Sequence, residues 1–304
     1  MLRIMSISLG SSQRDKVSDV IIDGQTLHIE RKGTDGDKAL AKELFHRYDG
    51  LVDAFGMGGT DLYLFADEQA YAFEDSFALI KDVKKTPVLD GSGLKRSLEP
   101  YIIKRLVQEG KFDFANKKVL HMCGVDRYAL GKALVEQGAQ VTFGDLVYGV
   151  GINVPIHSLT ALRRLAQLVV PILTKLPINW FYPTGEEQNT KVIRHPEYFL
   201  QNDIIVGDFL FIKKFMPDFL PGKYIITNTV TAQDREMLAA SGIKMLLTVT
   251  PNFDGRSFGT NVLEAMLVAL AGRKQALTTT EYEQMLYRFD IKPDITYFEN
   301  KEQL

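Results

Sequence analysis

The residues best suited to chemistry fall into two sets. The first is Gly124, Val125, Asp126 and Arg127, followed by Asp145. A glycine turn after an apolar run lets N–H groups at a helix start face an anion, and an acid at the next strand end can accept from a ribose hydroxyl. Asp145 lies 21 residues after Gly124, close to the ~20 that a dinucleotide site expects. The glycine pattern departs from Gly-x-Gly-x-x-Gly, because Asp126 and Ala129 stand at its second and third positions. The Asp126 carboxylate would repel pyrophosphate, whereas Arg127 would attract it. Arg127 could clamp a phosphate bidentately or lie on the surface. Asp126 reads first as an acid at a helix N-terminus, and the alternative for Asp145 is a solvated strand-end acid. Asp208 and Asn228 fall at later strand ends and complete the expected cofactor set.

The second set lies on glycine-bearing turns of the first hundred residues: Ser8-Leu-Gly-Ser-Ser12, Gly56-Met-Gly-Gly-Thr-Asp61 and Asp90-Gly-Ser-Gly-Leu-Lys95. Glycine permits close backbone approach, so Gly58, Gly59, Asp61 and Ser92 are expected to touch substrate, as is Arg256 in the loop 252–261. Lys95, on the first helical turn after Gly93, could transfer a proton with Asp90 as its partner. Its bland alternative is a solvated helix lysine. Of the histidines, His121 reads as packed in a strand, His28 and His46 lack acidic partners at useful spacing, and His157 sits near a helix start. Cys123 reads as a small residue at a tight strand end. No His/Cys/Asp cluster has metal-ligand spacing, so no metal is expected.

Both sets need an α/β scaffold. In the first part, strands are expected at Arg3 to Leu9 and Leu51 to Phe55, a hairpin around Asp23-Gly24, a second around Asp67-Glu68, and a short strand at Pro87 to Leu89. Helices are expected over Asp37 to Tyr48 and from Gly93 through Leu106. From residue 117 the alternation becomes regular. It predicts strands at 118–123, 140–145, 178–182, 203–207, 223–227 and 243–249, with helices at 127–137, 158–175, 196–201, 209–216, 232–240 and 261–271. Parallel neighbours need crossovers, so this pattern implies a doubly wound sheet of order 3-2-1-4-5-6. Asn261-x-x-Glu264 resembles a capping box, Gly272 a helix stop, and Thr280-x-x-Glu283 a further helix start. The expected division is an N-terminal α/β substrate domain over 1–114, a Rossmann-like nucleotide-binding domain over 115–272, and a C-terminal helix and tail over 273–304.

Composition narrows the class. The 304 residues are 45% hydrophobic and 24% charged, with a net charge of −2, values of an ordinary globular chain. Interspersed charges argue against a nucleic-acid or anionic-membrane surface. One cysteine excludes an internal disulfide. The start of the chain shows no signal-peptide core, and the longest apolar region is broken by Pro171, Lys175 and Pro177. A cytoplasmic protein is expected, acting on a small molecule, with homodimerisation left open.

The turns listed above, with Gly33-Thr-Asp-Gly36, Asp53 to Tyr63, Thr86 to Lys95 and Gly124 to Arg127, resemble motifs of a bacterial group called quinate 5-dehydrogenase, related in name to shikimate dehydrogenase. The likeness runs from residue 3 to about 272. It implies an NAD(P)-dependent oxidoreductase acting on a small, polar, carboxylated hydroxy or keto substrate. NAD is expected rather than NADP, since Asp145 would repel a 2′-phosphate. A transferase using S-adenosylmethionine remains an alternative, because its ribose can also rest on an acid after strand two. So does a protein that senses a nucleotide or metabolite without catalysis.

Overall fold

The computed structural model describes residues 1–66, 69–175, 191–253 and 256–298. The first stretch contains β1 (Leu2–Ser8), β2 (Lys16–Ile22), β3 (Gln25–Gly33), α1 (Lys38–Tyr48) and β4 (Ala54–Gly58). It continues with β5 (Tyr63–Ala66), β6 (Gln69–Ala72), α2 (Glu74–Ile80), β7 (Val88–Leu89) and α3 (Ser92–Gln108). Next come β8 (Lys118–His121), α4 (Tyr128–Glu136), β9 (Gln140–Phe143), a single π-helical turn at Asp145–Val150, and α5 (Leu159–Leu173). Then follow α6 (Pro196–Gln201), β10 (Ile204–Val206), α7 (Phe209–Phe215), β11 (Tyr224–Thr227), α8 (Ala232–Ala240) and β12 (Met245–Thr248). The chain closes with β13 (Asn252–Phe253), β14 (Arg256–Ser257), α9 (Thr260–Leu270), α10 (Thr279–Arg288) and β15 (Asp294–Tyr297). No helix among the described residues is long and apolar enough to cross a membrane.

The residues gather into two compact units. One comprises Met1–Leu98, Gln167–Gln188 and Phe258–Ile291, the other Glu99–Ala166, Asn189–Ser257 and Lys292–Leu304.

In the first unit the sheet runs β2-β3-β1-β4-β7. All pairs are parallel except β2 with β3, which a two-residue turn joins. Asp23 and Gly24 both take positive φ, the requirement of a tight hairpin turn matched to strand twist. β1 is central and is buried on both faces from Ile4 onward, as a parallel strand covered by helices must be. Met5, Ile7, Phe55 and Met57 pack there with Ala41, Leu44 and Phe45 of α1 and Leu79 of α2. α9, expected in the nucleotide-binding domain, instead packs on β1, β4 and β7 of this first sheet. Its middle is buried on every side, Val262 through Ala269. Glycine makes the approach possible: a methyl group at Gly56 would stand 3.1 Å from the Asn261 carbonyl oxygen, and one at Gly91 2.8 Å from the Asn261 nitrogen.

In the second unit the order is β15-β12-β11-β10-β8-β9. The five strands β8 to β12 are parallel in the expected order, and β15 adds an antiparallel edge where an extended tail was read. The strand expected at 178–182 lies outside the described residues. This is the anticipated α/β architecture, with a Rossmann-like parallel sheet following an N-terminal α/β sheet. Leu120, Ile205, Ile225 and Leu246 bury with Phe209, Ile212 and Phe215 of α7 and Leu238 of α8.

Two helix starts differ from the sequence reading. α9 takes Gly259 as its N-cap with no side-chain bond, because Glu264 turns to another element. The reciprocal box before α10 is Thr278 with Glu281, two residues earlier than expected.

Candidate functional site

At the carboxyl ends of β8 and β9, the Asp145 carboxylate accepts from the N–H of Gly124 (3.0 Å) and of Val125 (2.8 Å). Asp145 therefore shares one crevice with the 124–127 turn, as its expected role requires. It also covers two N–H groups that a phosphate would use. Burial dominates its proton affinity: the carboxyl is pushed up to about 6, against the pull of those two N–H groups. Gly124 is glycine for packing reasons, since a methyl group there would lie 2.5 Å from Phe143 Cδ1. Gly131 does the close helix–strand packing that the fingerprint assigns to its third glycine, with a virtual methyl 2.7 Å from Phe143 Cε1.

Arg127 is neither on the surface nor open to solvent; it is 4% exposed. Its guanidinium pairs with Glu99, 1% exposed, and also faces Asp126 (3.7 Å) and Asp208 (3.5 Å). The surrounding carboxylates outweigh burial and raise its proton affinity further. Asp208 caps α7 through Leu210 N–H and accepts from Asn228 Nδ2 at 2.7 Å. Asn228 Oδ1 in turn accepts from Phe209 N–H. The expected cofactor residues are thus brought together at the strand ends around β8 and β10, between which the strand order reverses, the position at which open sheets bind ligands. Asp126 is not the cap of α4; Arg127 holds that position and no side chain bonds there. His121 is buried as expected and held well below the usual histidine range, to about 3, by desolvation and then by Arg127. Burial pushes the Cys123 thiol up, so it is no ready thiolate.

The second candidate set lies at the carboxyl edge of the first sheet. Lys95 Nζ stands 3.7 Å from Asp61 Oδ2, and each side chain is 12% exposed. Asp90, the expected partner, has bonds of its own. It accepts from the N–H groups of Leu62 and Tyr63 and from both the N–H and hydroxyl of Ser92. Asp90 and Ser92 thus tie one turn to another. Gly58 and Gly59 owe their identity to close neighbours, Ser8 Oγ at 2.9 Å and Gly10 N at 2.9 Å from virtual methyl groups. Arg256 lies on β14, and its side chain is outside what the structure describes. His157 Nδ1 lies 3.3 Å from Thr142 Oγ1 in an exposed position. Among the described residues no group of three or more His, Cys, Asp or Glu side chains is placed to hold a metal ion.

One residue was expected only as part of a capping box. Glu264, 1% exposed, accepts from Gly91 N–H at 2.7 Å and from the Tyr282 hydroxyl. Leu94 N–H also donates to it. Burial, and then the charge of Asp90, push its carboxyl up to about 8. The only signal in the chain was an acid inside an otherwise apolar helical run, Val262 to Leu270.

Solved structures with a similar course of chain include malic enzyme from Entamoeba histolytica, at 12% identity and a TM-score of 0.39. The match covers 92% of this chain but only 60% of the malic enzyme. Others are L-tryptophan dehydrogenase from Nostoc punctiforme (12% identity, TM-score 0.40, 95% of this chain and 79% of that one) and hetero-hexameric glutamate dehydrogenase from Thermus thermophilus (10%, 0.42, 95% and 74%). At such identities and scores these likenesses carry nothing about activity. No curated protein matches the sequence. Residues 3–90 match the family model described as Domain of unknown function (DUF8753). Residues 93–298, more than half of the sequence, match the model described as Domain of unknown function (DUF8754), and the chain belongs to that family.

Proposed function

We propose that this protein is an NAD(P)-linked oxidoreductase acting on a small, polar, carboxylated hydroxy or keto substrate, with Lys95 and Asp61 as its proton-handling pair. The observation that carries this reading is the Lys95–Asp61 pair, largely withdrawn from water at the carboxyl edge of a parallel sheet. An ammonium held there can bind a substrate carbonyl oxygen and give it a proton as it becomes an alcohol. In the reverse direction the neutral amine takes that proton back, and Asp61 orients the amine. The resemblance to the quinate 5-dehydrogenase group points to the same substrate class. Asp145 would hold the ribose of the cofactor and favour NAD over NADP. The nicotinamide, when bound, supplies the hydride chemistry. The fit is good for the nucleoside and poor for pyrophosphate, because Asp145 already engages the Gly124 and Val125 N–H groups.

That last observation favours a second reading, a transferase using S-adenosylmethionine. Such a cofactor brings a ribose and a positive sulfonium but no phosphate, which suits a crevice bearing Asp126, Asp145 and Asp208.

The test combines calorimetry with turnover. NAD, NADP and S-adenosylmethionine are titrated into the protein, and nicotinamide absorbance is followed with a panel of small hydroxy acids. Lys95→Ala and Asp61→Asn should slow turnover by ~10²–10⁴-fold with cofactor affinity unchanged. Binding of S-adenosylmethionine alone would move the assignment to the transferase. Dinucleotide binding with no turnover on any substrate would favour the sensor.

A further inference from the structure

We infer that Glu264 is a positioning residue that sets Lys95 against Asp61 by capping the first turn of α3 from a different helix. The inference rests on the reading of Lys95 as the proton-transfer group. The connection is short and continuous. Glu264 accepts the N–H of Gly91 at 2.7 Å, and the carbonyl of Gly91 accepts the N–H of Lys95 at 2.9 Å. The Leu94 N–H donates to the same carboxyl. The opening N–H groups of a helix have no partner within it; here Asp90 takes that of Ser92, and Glu264 takes those of Gly91 and Leu94 from across the fold.

Three features suit the contact to this task. Gly91 takes φ of +94°, a conformation that glycine adopts without the strain other residues suffer. At Gly93 a methyl group would lie 2.5 Å from Glu264 Oε1, so glycine lets the carboxyl reach over the turn. Tyr282 of α10 holds that oxygen from the other side, and its own hydroxyl accepts from Leu277 N–H. The carboxyl is thereby fixed at both ends. An acid in the middle of a buried helix costs stability unless its hydrogen bonds are made, and these bonds lead to the turn that carries Lys95.

Competitive acetylation with acetic anhydride, quantified lysine by lysine by mass spectrometry across a pH series, tests this on the whole protein without a substrate. Asp61→Asn calibrates the loss of the pair. A carboxylate within a few ångströms raises a lysine's proton affinity by at least ~1 pH unit, so Asp61→Asn should raise the reactivity of Lys95 near pH 8 about tenfold. Glu264→Leu should approach that level, with Lys117 and Lys118 unchanged. Glu264→Gln, which keeps an acceptor oxygen, should return most of the protection. Unchanged Lys95 reactivity in folded Glu264→Leu would overturn the inference, as would a uniform rise at every lysine. If Glu264→Leu does not fold, Tyr282→Phe carries the test: a rise confined to Lys95 supports the inference, and no rise overturns it. A wild-type Lys95 as reactive as surface lysines would instead remove the catalytic reading on which this stands.

Discussion

Replacing Asp145 with asparagine probes how the proposed cofactor crevice is built. In the folded protein burial raises its carboxyl from 3.8 to about 6. That rise is about two pH units, or about 3 kcal/mol at roughly 1.4 kcal/mol per unit. A folded-state value above the unfolded one means that the native protein takes up this proton first as pH falls. The ionised group therefore weakens the fold above pH 6, and its contribution to stability increases as pH drops from 7 towards 4. Asp145→Asn abolishes that dependence, at a pH-independent cost because its amide can accept from only one of the two N–H groups. Both proteins are unfolded in urea at a series of pH values between 4 and 8. All other titrating groups cancel in the difference, which should change by about 3 kcal/mol in the direction stated. A flat difference, or one of opposite sign, would refute the claim that Asp145 is desolvated against the turn. Under the proposed function the same ionisation would govern binding, because a ribose hydroxyl would donate to the carboxylate. Nucleoside affinity should fall below pH 6 in the wild type and lose that dependence in the variant.

Other outcomes follow from packing and pairing. Gly131→Ala forces a methyl group against Phe143 and His121, and should cost ~1–3 kcal/mol in urea unfolding without altering ligand affinity. Arg127→Met removes the guanidinium from the buried Glu99 and should cost ~3–5 kcal/mol, whereas adding Glu99→Leu should recover much of the loss. A double-mutant cycle without that coupling would argue against a structural role for Arg127. Arg235 binds Asp294 and Thr296 of β15. Arg235→Ala should quicken amide exchange along β15 more than along β11, because an edge strand held by few contacts opens locally.

The alternation of apolar strands and helices made the second sheet legible. Val119–Leu120, Ile204 to Val206 and Ile225–Ile226 are continuous apolar runs because parallel strands are buried on both faces. β15 was not legible, since Asp294 to Tyr297 is only four residues on a half-exposed edge and its pairing with β12 depends on distant residues. The crevice residues could be named because strand ends are marked by glycine and acid together. Their roles could not, as the case of Arg127 makes plain: a short-range pattern shows an arginine beside a helix start, but not the carboxylate of Glu99, 28 positions earlier, that takes it. Asp61 and Lys95 are likewise 34 positions apart, whereas Asp90, nearer in sequence, was the natural partner to expect. Glu264 looked like a local cap because Asn261 precedes it by three. The helix instead takes Gly259 as its N-cap, so Glu264 lies beyond the first turn and its carboxyl bonds to Gly91 and Tyr282.

The return of α9 to the first sheet bears on how the chain is made. Synthesis delivers β1 to β7 early, yet the face of β1, β4 and β7 that α9 covers has no cover until residues near 270 have emerged. The parallel strands β8 to β12 are all synthesised before that point. A nascent chain would therefore complete the later sheet's parallel core while the earlier one still exposes apolar surface, the reverse of the usual N-terminal-first order. Contacts this distant in sequence also slow folding, since loop closure precedes the packing that offsets it. Emergence of α9, rather than elongation past residue 100, becomes the step that secures the N-terminal unit, and chaperone dependence should persist until then.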